Sequence, residues 1–111
     1  MHALTDVDGE QHVALAAIAG GRLAGVGRFI RTSACPDAAE LALEVDDALQ
    51  NQGLGSFLLS RLTRAALDRG VTRFTGHVLI GNEAMIRLLR KRGARLGLPS
   101  WGVYQIELPL I

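Results

Sequence analysis

The sequence predicts an α/β domain in which helices pack against a mixed, mostly antiparallel sheet, in the order β-β-β-α-β-α-β. Three observations carry this reading. Residues 40–45 alternate, with Leu41, Leu43 and Val45 facing one way and Glu40, Ala42 and Glu44 the other, the period of a strand with one apolar face. A glycine-built corner, Gln50-Asn51-Gln52-Gly53-Leu54-Gly55-Ser56, then opens a segment whose apolar residues recur at helical spacing. Another strand follows that helix, so the helix is a crossover between two strands of one sheet, while the strands before it form a meander.

Taken in order, residues 12–19 are apolar and partly β-branched, and Gly20-Gly21 breaks the run, which reads as strand, turn, strand. The second strand, 23–31, contains Gly25 and Gly27, which let a neighbouring element approach closely. A loop around Cys35 and Pro36 leads to the alternating strand, which ends at Asp46-Asp47. The first helix is expected over residues 53–69, with Leu54, Phe57, Leu58, Leu62 and Ala65 on its apolar face and Gly70 as a left-handed stop. A strand over 73–80 runs to Gly81-Asn82. Asn82 is a good N-cap, Glu83 suits the positive helix end, and Met85, Leu88 and Leu89 form the buried stripe before Gly93. The last strand is expected over 101–108, between Pro99 and Pro109. No repeat, linker or low-complexity segment intervenes, so residues 1–111 read as one domain.

Composition narrows the functional classes. A chain of 111 residues, 49% hydrophobic and 21% charged, has the material for one core that buries about two thirds of the unfolded surface. No apolar run reaches the roughly 18 residues of a membrane span, and the N-terminus has neither a basic nor an apolar segment, so a cytoplasmic protein without membrane association is expected. Cys35 is the single cysteine, which excludes an internal disulfide and a cysteine-based metal cluster; no metal is expected. A net charge of +1 argues against nucleic acid as the principal partner. Arg87, Arg90, Lys91, Arg92 and Arg95 crowd one helix end, where cations offset the helix dipole or attract an anionic ligand.

The glycine corner is the most informative motif. Such a turn aims main-chain N–H groups at one spot and lets a phosphate come close. It is not a P-loop, because Gly-Lys-Ser/Thr is absent and the one lysine, Lys91, lies far away. It is not a dinucleotide fingerprint either: Leu58 stands where a third small residue belongs, and the next strand ends in Leu79-Ile80-Gly81 without an acid.

Gln-x-x-Gly-x-Gly, then an amphipathic helix, a strand, and Asn82 opening a second helix resembles the GNAT acyltransferases, over residues 12–109. Arg28-Phe29-Ile30-Arg31, Ala39-Glu40-Leu41-Ala42 and Arg73-Phe74 look like the Pat-like bacterial protein lysine acetyltransferases within that superfamily. The resemblance implies acetyl-CoA as cosubstrate. Gln50, Asn51, Gln52, Gly53, Leu54, Gly55 and Ser56 would hold its pyrophosphate, Leu43, Glu44 and Val45 its pantetheine arm, with Asn82 nearby. A free N–H near Val45 would face the thioester oxygen as it becomes an oxyanion. Members of the family also have a strand and two helices ahead of this order, missing from this reading of the chain. Their absence predicts an uncovered apolar sheet face and, from it, a homodimer.

An amine acceptor with a pKa near 10.4 is neutral in only about one molecule in a few thousand at pH 7, so a base, or a water chain to one, is needed. Glu40, on the polar side of its strand, matches a glutamate of the Pat-like enzymes and is the first candidate. His77 is the competitor: it lies five residues before Asn82, where other GNAT enzymes place a glutamate, and an imidazole titrates near neutrality. Glu44 is third. Many relatives protonate the departing thiolate with a tyrosine seven residues after the Asn; Leu89 occupies that position here. The reading is an N-acetyltransferase acting on a protein lysine or small-molecule amine. The alternative is a degenerate acyl-CoA-binding or regulatory module.

Overall fold

The computed structural model describes residues 2–6, 11–32, 34–46 and 53–111. In chain order the elements are β1 (His2–Asp6), β2 (His12–Ala19), β3 (Arg22–Arg31), β4 (Ala38–Val45), α1 (Leu54–Asp68), β5 (Arg73–Leu79), α2 (Glu83–Lys91), β6 (Arg95–Leu96) and β7 (Val103–Pro109). They form one seven-stranded sheet in the order β1-β2-β3-β4-β5-β7-β6. β4 and β5 are the parallel pair on either side of the α1 crossover, and the other pairings are antiparallel.

The expected order is corrected in two places. β1 stands ahead of the meander, antiparallel to β2, with Ala3 opposite Ala17. β6 is a two-residue strand on the outer edge of β7. Neither carries a hydrophobic run that would announce it, and each exists by pairing with a longer neighbour. The final strand also begins later than expected, because Trp101 and Gly102 form the turn that precedes it.

Local chemistry accounts for the remaining elements. Gly20 and Gly21, at φ 59° and 78°, make the two-residue hairpin turn that β2 and β3 require. The stop at Gly70 has φ 82°, with the N–H of Gly70 donating to the Leu67 carbonyl and that of Val71 to Ala66. At α2, the Asn82 side chain accepts from the Met85 N–H at 3.3 Å, so the expected N-cap is present.

Both helices pack on one face of the sheet. Phe29 and Phe74 are fully buried with ring centroids 5.5 Å apart, and Leu41, Val78, Ile106 and Leu108 join them beneath Leu59 and Leu62 of α1 and Met85 and Leu89 of α2. Gly27 makes this contact possible, since a Cβ there would stand 2.8 Å from Leu62 Cδ1. Among the described residues the opposite face is open. It presents Val26, Arg28 and Ile30 of β3 beside Glu40, Ala42 and Glu44 of β4, so apolar and charged side chains are mixed on it.

Candidate active site

The site begins where two strands separate. β4 and β5 pair only through Ala38 with Arg73, Ala39 with Phe74 and Glu40 with Thr75. Beyond that point β4 follows β3 as far as Val45, and β5 follows β7 as far as Leu79, so the two part as a V. Gly76 lies at the apex. A Cβ there would be 2.8 Å from the Leu41 carbonyl oxygen, closer than any side chain tolerates, so glycine is what lets the strands meet before they diverge.

The orientation of the β4 backbone follows from its other edge. The Asp46 N–H donates to the Ala24 carbonyl at 2.9 Å, and ladder alternation then turns the groups of Glu44 and Ala42 toward β3 as well. Leu43 and Val45 therefore direct their N–H and C=O groups into the V, beyond the last pairing of β4 with β5 at Glu40 and Thr75. A cavity of about 300 Å³ fills this space, lined by Leu43, Glu44 and Val45 of β4, His77 and Leu79 of β5, Asn82, and a floor that includes Met85, Leu89 and Ile106.

A second cavity of about 170 Å³ continues toward the start of α1, lined by Val45, Gly53, Gly55, Ser56, Ala84, Met85 and Leu88. Val45 and Met85 belong to both, so the V opens onto the helix end. Gly53 is the N-cap with φ 77°, a left-handed conformation that leaves α1 without a side-chain cap. The Phe57 N–H takes the Gly53 carbonyl, while those of Leu54, Gly55 and Ser56 have no acceptor among the described residues. Gly55 has a packing reason too, since a Cβ there would meet Leu88 Cδ2 at 3.1 Å. No acidic residue stands in the first turn of α1, and Arg92 brings a cation to it, donating from Nη2 to the Ser56 carbonyl at 3.2 Å and to the Ser56 and Ser60 hydroxyls at 2.8 Å each. The helix end is therefore a positive concavity.

Of the eleven residues expected at the cofactor, seven line these two cavities. Leu43, Glu44, Val45 and Asn82 line the V, and Gly53, Gly55 and Ser56 line its continuation; the Leu54 side chain is buried while its N–H belongs to the helix end. Gln50, Asn51 and Gln52 lie outside the described residues. Of the two base candidates, His77 lines the V and also an adjoining cavity of about 500 Å³ on the open face, whereas Glu40 lines only the latter, with Thr75, Gln105 and Glu107. Glu40 and His77 thus share one cavity at the apex. Leu89 is almost wholly buried in the floor of the V and offers no proton there. Gly76 escaped the sequence reading, although a glycine interrupting a strand is a signal; Arg92 is legible there only as one of a cluster of cations at a helix end, because its partners lie 32 and 36 residues away.

Residues 2–94 match the profile of the Acetyltransferase (GNAT) family. The chain belongs to the GNAT family. Acetyltransferase Pat of Mycolicibacterium smegmatis is 37% identical over 81 residues, which cover 73% of this chain and 24% of that protein. The crystal structure of the GNAT domain of S. lividans PAT superposes with a TM-score of 0.81 at 33% identity, covering 92% of this chain and 62% of that one. The yncA protein of Salmonella typhimurium, solved with its cofactor acetyl-CoA, shares the fold with a TM-score of 0.75 at 24% identity over 90% of this chain and 65% of its own. The chain therefore spans about a quarter of the length of the Pat relative and under two thirds of the PAT domain. Membership makes it an acyltransferase-family domain. Among the described residues no helix is long and apolar enough to cross a membrane, and no cluster of His, Cys, Asp or Glu is placed to hold a metal ion.

Proposed function

We propose that this chain transfers an acetyl group from acetyl-CoA to a primary amine. The observation that carries the reading is the continuity of the β4/β5 cleft with the start of α1, joined at Val45 and Met85. An extended thioester with a diphosphate at one end matches a channel with unpaired main-chain groups along one wall and convergent N–H groups at its end. The acetyl-CoA named for the yncA structure supports the choice of cosubstrate. Residues 50–56 hold the diphosphate, Leu43, Glu44 and Val45 line the arm, and Asn82 closes the far wall.

In this reading Glu40, directly or through a water, takes the proton from the acceptor nitrogen. The neutral amine then attacks the thioester carbonyl carbon, its nitrogen sheds the remaining extra proton to solvent, the carbon–sulfur bond breaks, and the sulfur leaves as thiolate, to be protonated from solvent. The Val45 N–H stabilises the oxyanion. His77 is the second candidate base and Glu44 the third. The protein works in the cytoplasm as a homodimer. Glu40→Gln is expected to bind CoA as the parent does and to lower turnover about 100-fold, the usual worth of a general base. Turnover at the parental rate removes Glu40 from this role.

Leu89 favours a second reading, an acyl-CoA-binding or regulatory module without transfer, because an apolar residue occupies the place of the tyrosine acid. Calorimetry with acetyl-CoA, run beside thiol release in the presence of amines and lysine peptides, separates the two. Binding with release supports transfer, and binding without release supports the module.

A further inference from the structure

The open face of the sheet carries two opposite charges set diagonally on an apolar ground. On β3 and β4 the register places Val26 opposite Glu44 and Arg28 opposite Ala42, so these four make a quartet with the charges on one diagonal and the apolar side chains on the other. All four are exposed and lie away from the helices, since Phe29 and Leu41, which alternate with them, are in the core. Ala14 is the neighbour of Arg28 on β2, so methyl groups flank the guanidinium on both sides of its row. A trough of about 520 Å³ runs among Ala14, Ala16, Val26, Arg28, Ala42 and Glu44.

Neither charge is answered within the chain. Diagonal neighbours of an antiparallel pair stand about 7–8 Å apart, within reach of long side chains. Arg28 and Glu44 nonetheless make no ion pair, with each other or with any other of the described residues.

The quartet is its own complement. Let two such faces meet about a two-fold axis that lies in the plane between them and crosses the Arg28–Glu44 diagonal at its midpoint, at right angles. Arg28 of each copy then comes over Glu44 of the other, and Val26 and Ala42, close to the axis, lie near their own counterparts. The strands of the two sheets cross at a wide angle, as in the orthogonal class of sheet packing. A purely acidic or purely basic partner would answer one charge and oppose the other, whereas a second copy answers both, twice. The contact also reaches the cleft, because Glu44 lines the V as well as the trough.

We propose that two copies associate through the open face, with the partner's Arg28 over Glu44 at the wall of each cleft. The inference rests on the homodimer reading and adds to it the face, the register and the residue that crosses.

Sedimentation velocity at micromolar concentration tests it by exchange of charge. The parent is expected at twice the chain mass. Arg28→Glu and Glu44→Arg each set like charges together at both contacts, and each is expected to raise the dissociation constant of the dimer about tenfold or more. Mixed in equal amounts, each variant supplies the sign that the other lacks, and the dimer mass is expected to return. Misfolding of either variant, or a contact made within one chain, would not be repaired by mixing. Single variants that stay dimeric like the parent overturn this face and leave the homodimer reading standing through another surface. Dissociation that mixing fails to reverse overturns the pairing of Arg28 with Glu44. A parent that is monomeric throughout overturns the homodimer reading and this inference with it.

Discussion

At the scale of single residues, what the site needs is set by geometry that one or two atoms decide. Gly53 holds φ 77° with open space around it, so its requirement is conformational. Gly53→Ala should cost about 1–2 kcal/mol, seen as a melting temperature several degrees lower, and weaken CoA binding by misdirecting the first N–H groups of α1. A melting temperature equal to the parent's would mean that the corner tolerates a side chain. Gly76 is different, because its φ is ordinary and the constraint is the Leu41 carbonyl. The sequence made the Gly53 requirement legible, since glycine before a helix has a local meaning. It made Glu40 legible as one of a row of outward residues. It did not make Gly76 legible as an apex, because the carbonyl it accommodates belongs to a strand 35 positions earlier by the numbering of Leu41 and Gly76.

At the scale of elements, hairpin, helices and caps were readable because each is governed by residues within a few positions of one another. The β2–β3 turn at Gly20-Gly21, the Gly70 stop and the Asn82 cap all appear as expected. β6 was not readable, as two residues carry no period and Arg95–Leu96 is a strand only because β7 lies beside it, with Arg95 and Glu107 paired at 2.6 Å. The Trp101 turn resembles strand in the sequence for a related reason: an aromatic residue favours strands, and nothing local announces the left-handed conformation of Trp101. Asn82 serves both element and site. Asn82→Ala should lose about 1 kcal/mol through the missing cap. A loss of CoA affinity beyond that of an equally destabilised variant outside the cleft would mark a second, ligand-facing role, whereas equal losses would leave Asn82 as a cap alone. Arg92 ties the end of α2 to the first turn of α1, so Arg92→Ala should loosen the positive end of the cleft and raise the Kd for CoA, measured by calorimetry, while Arg92→Lys restores it only partly, because all three contacts come from Nη2 at the tip of a side chain that reaches farther than lysine's.

At the scale of the whole molecule, the decisive fact is that both helices share one face of a seven-stranded sheet. That face is a closed core, and emptying its centre with Phe29→Ala should cost about 3–5 kcal/mol, read by denaturant unfolding. The other face leaves Val26 and Ile30 at 41% and 39% exposure between charged residues, the basis for expecting two copies to associate. Light scattering at micromolar concentration should give twice the chain mass, and a clean monomer would count against the homodimer. Strand order and the V depend on long-range pairing that no local pattern encodes; the fold was legible because a glycine corner, a helix, a strand and Asn82 occur in a sequence order that resembles a known family. The central claim is that the N-terminal amides of α1 and the free edge of β4 together hold a CoA thioester. Amide-resolved NMR of the labelled protein titrated with CoA tests it most directly. Saturable shifts concentrated at Leu43, Val45 and Gly53 through Ser56 are predicted, and shifts that are absent, or gathered elsewhere while these amides stay still, would contradict it.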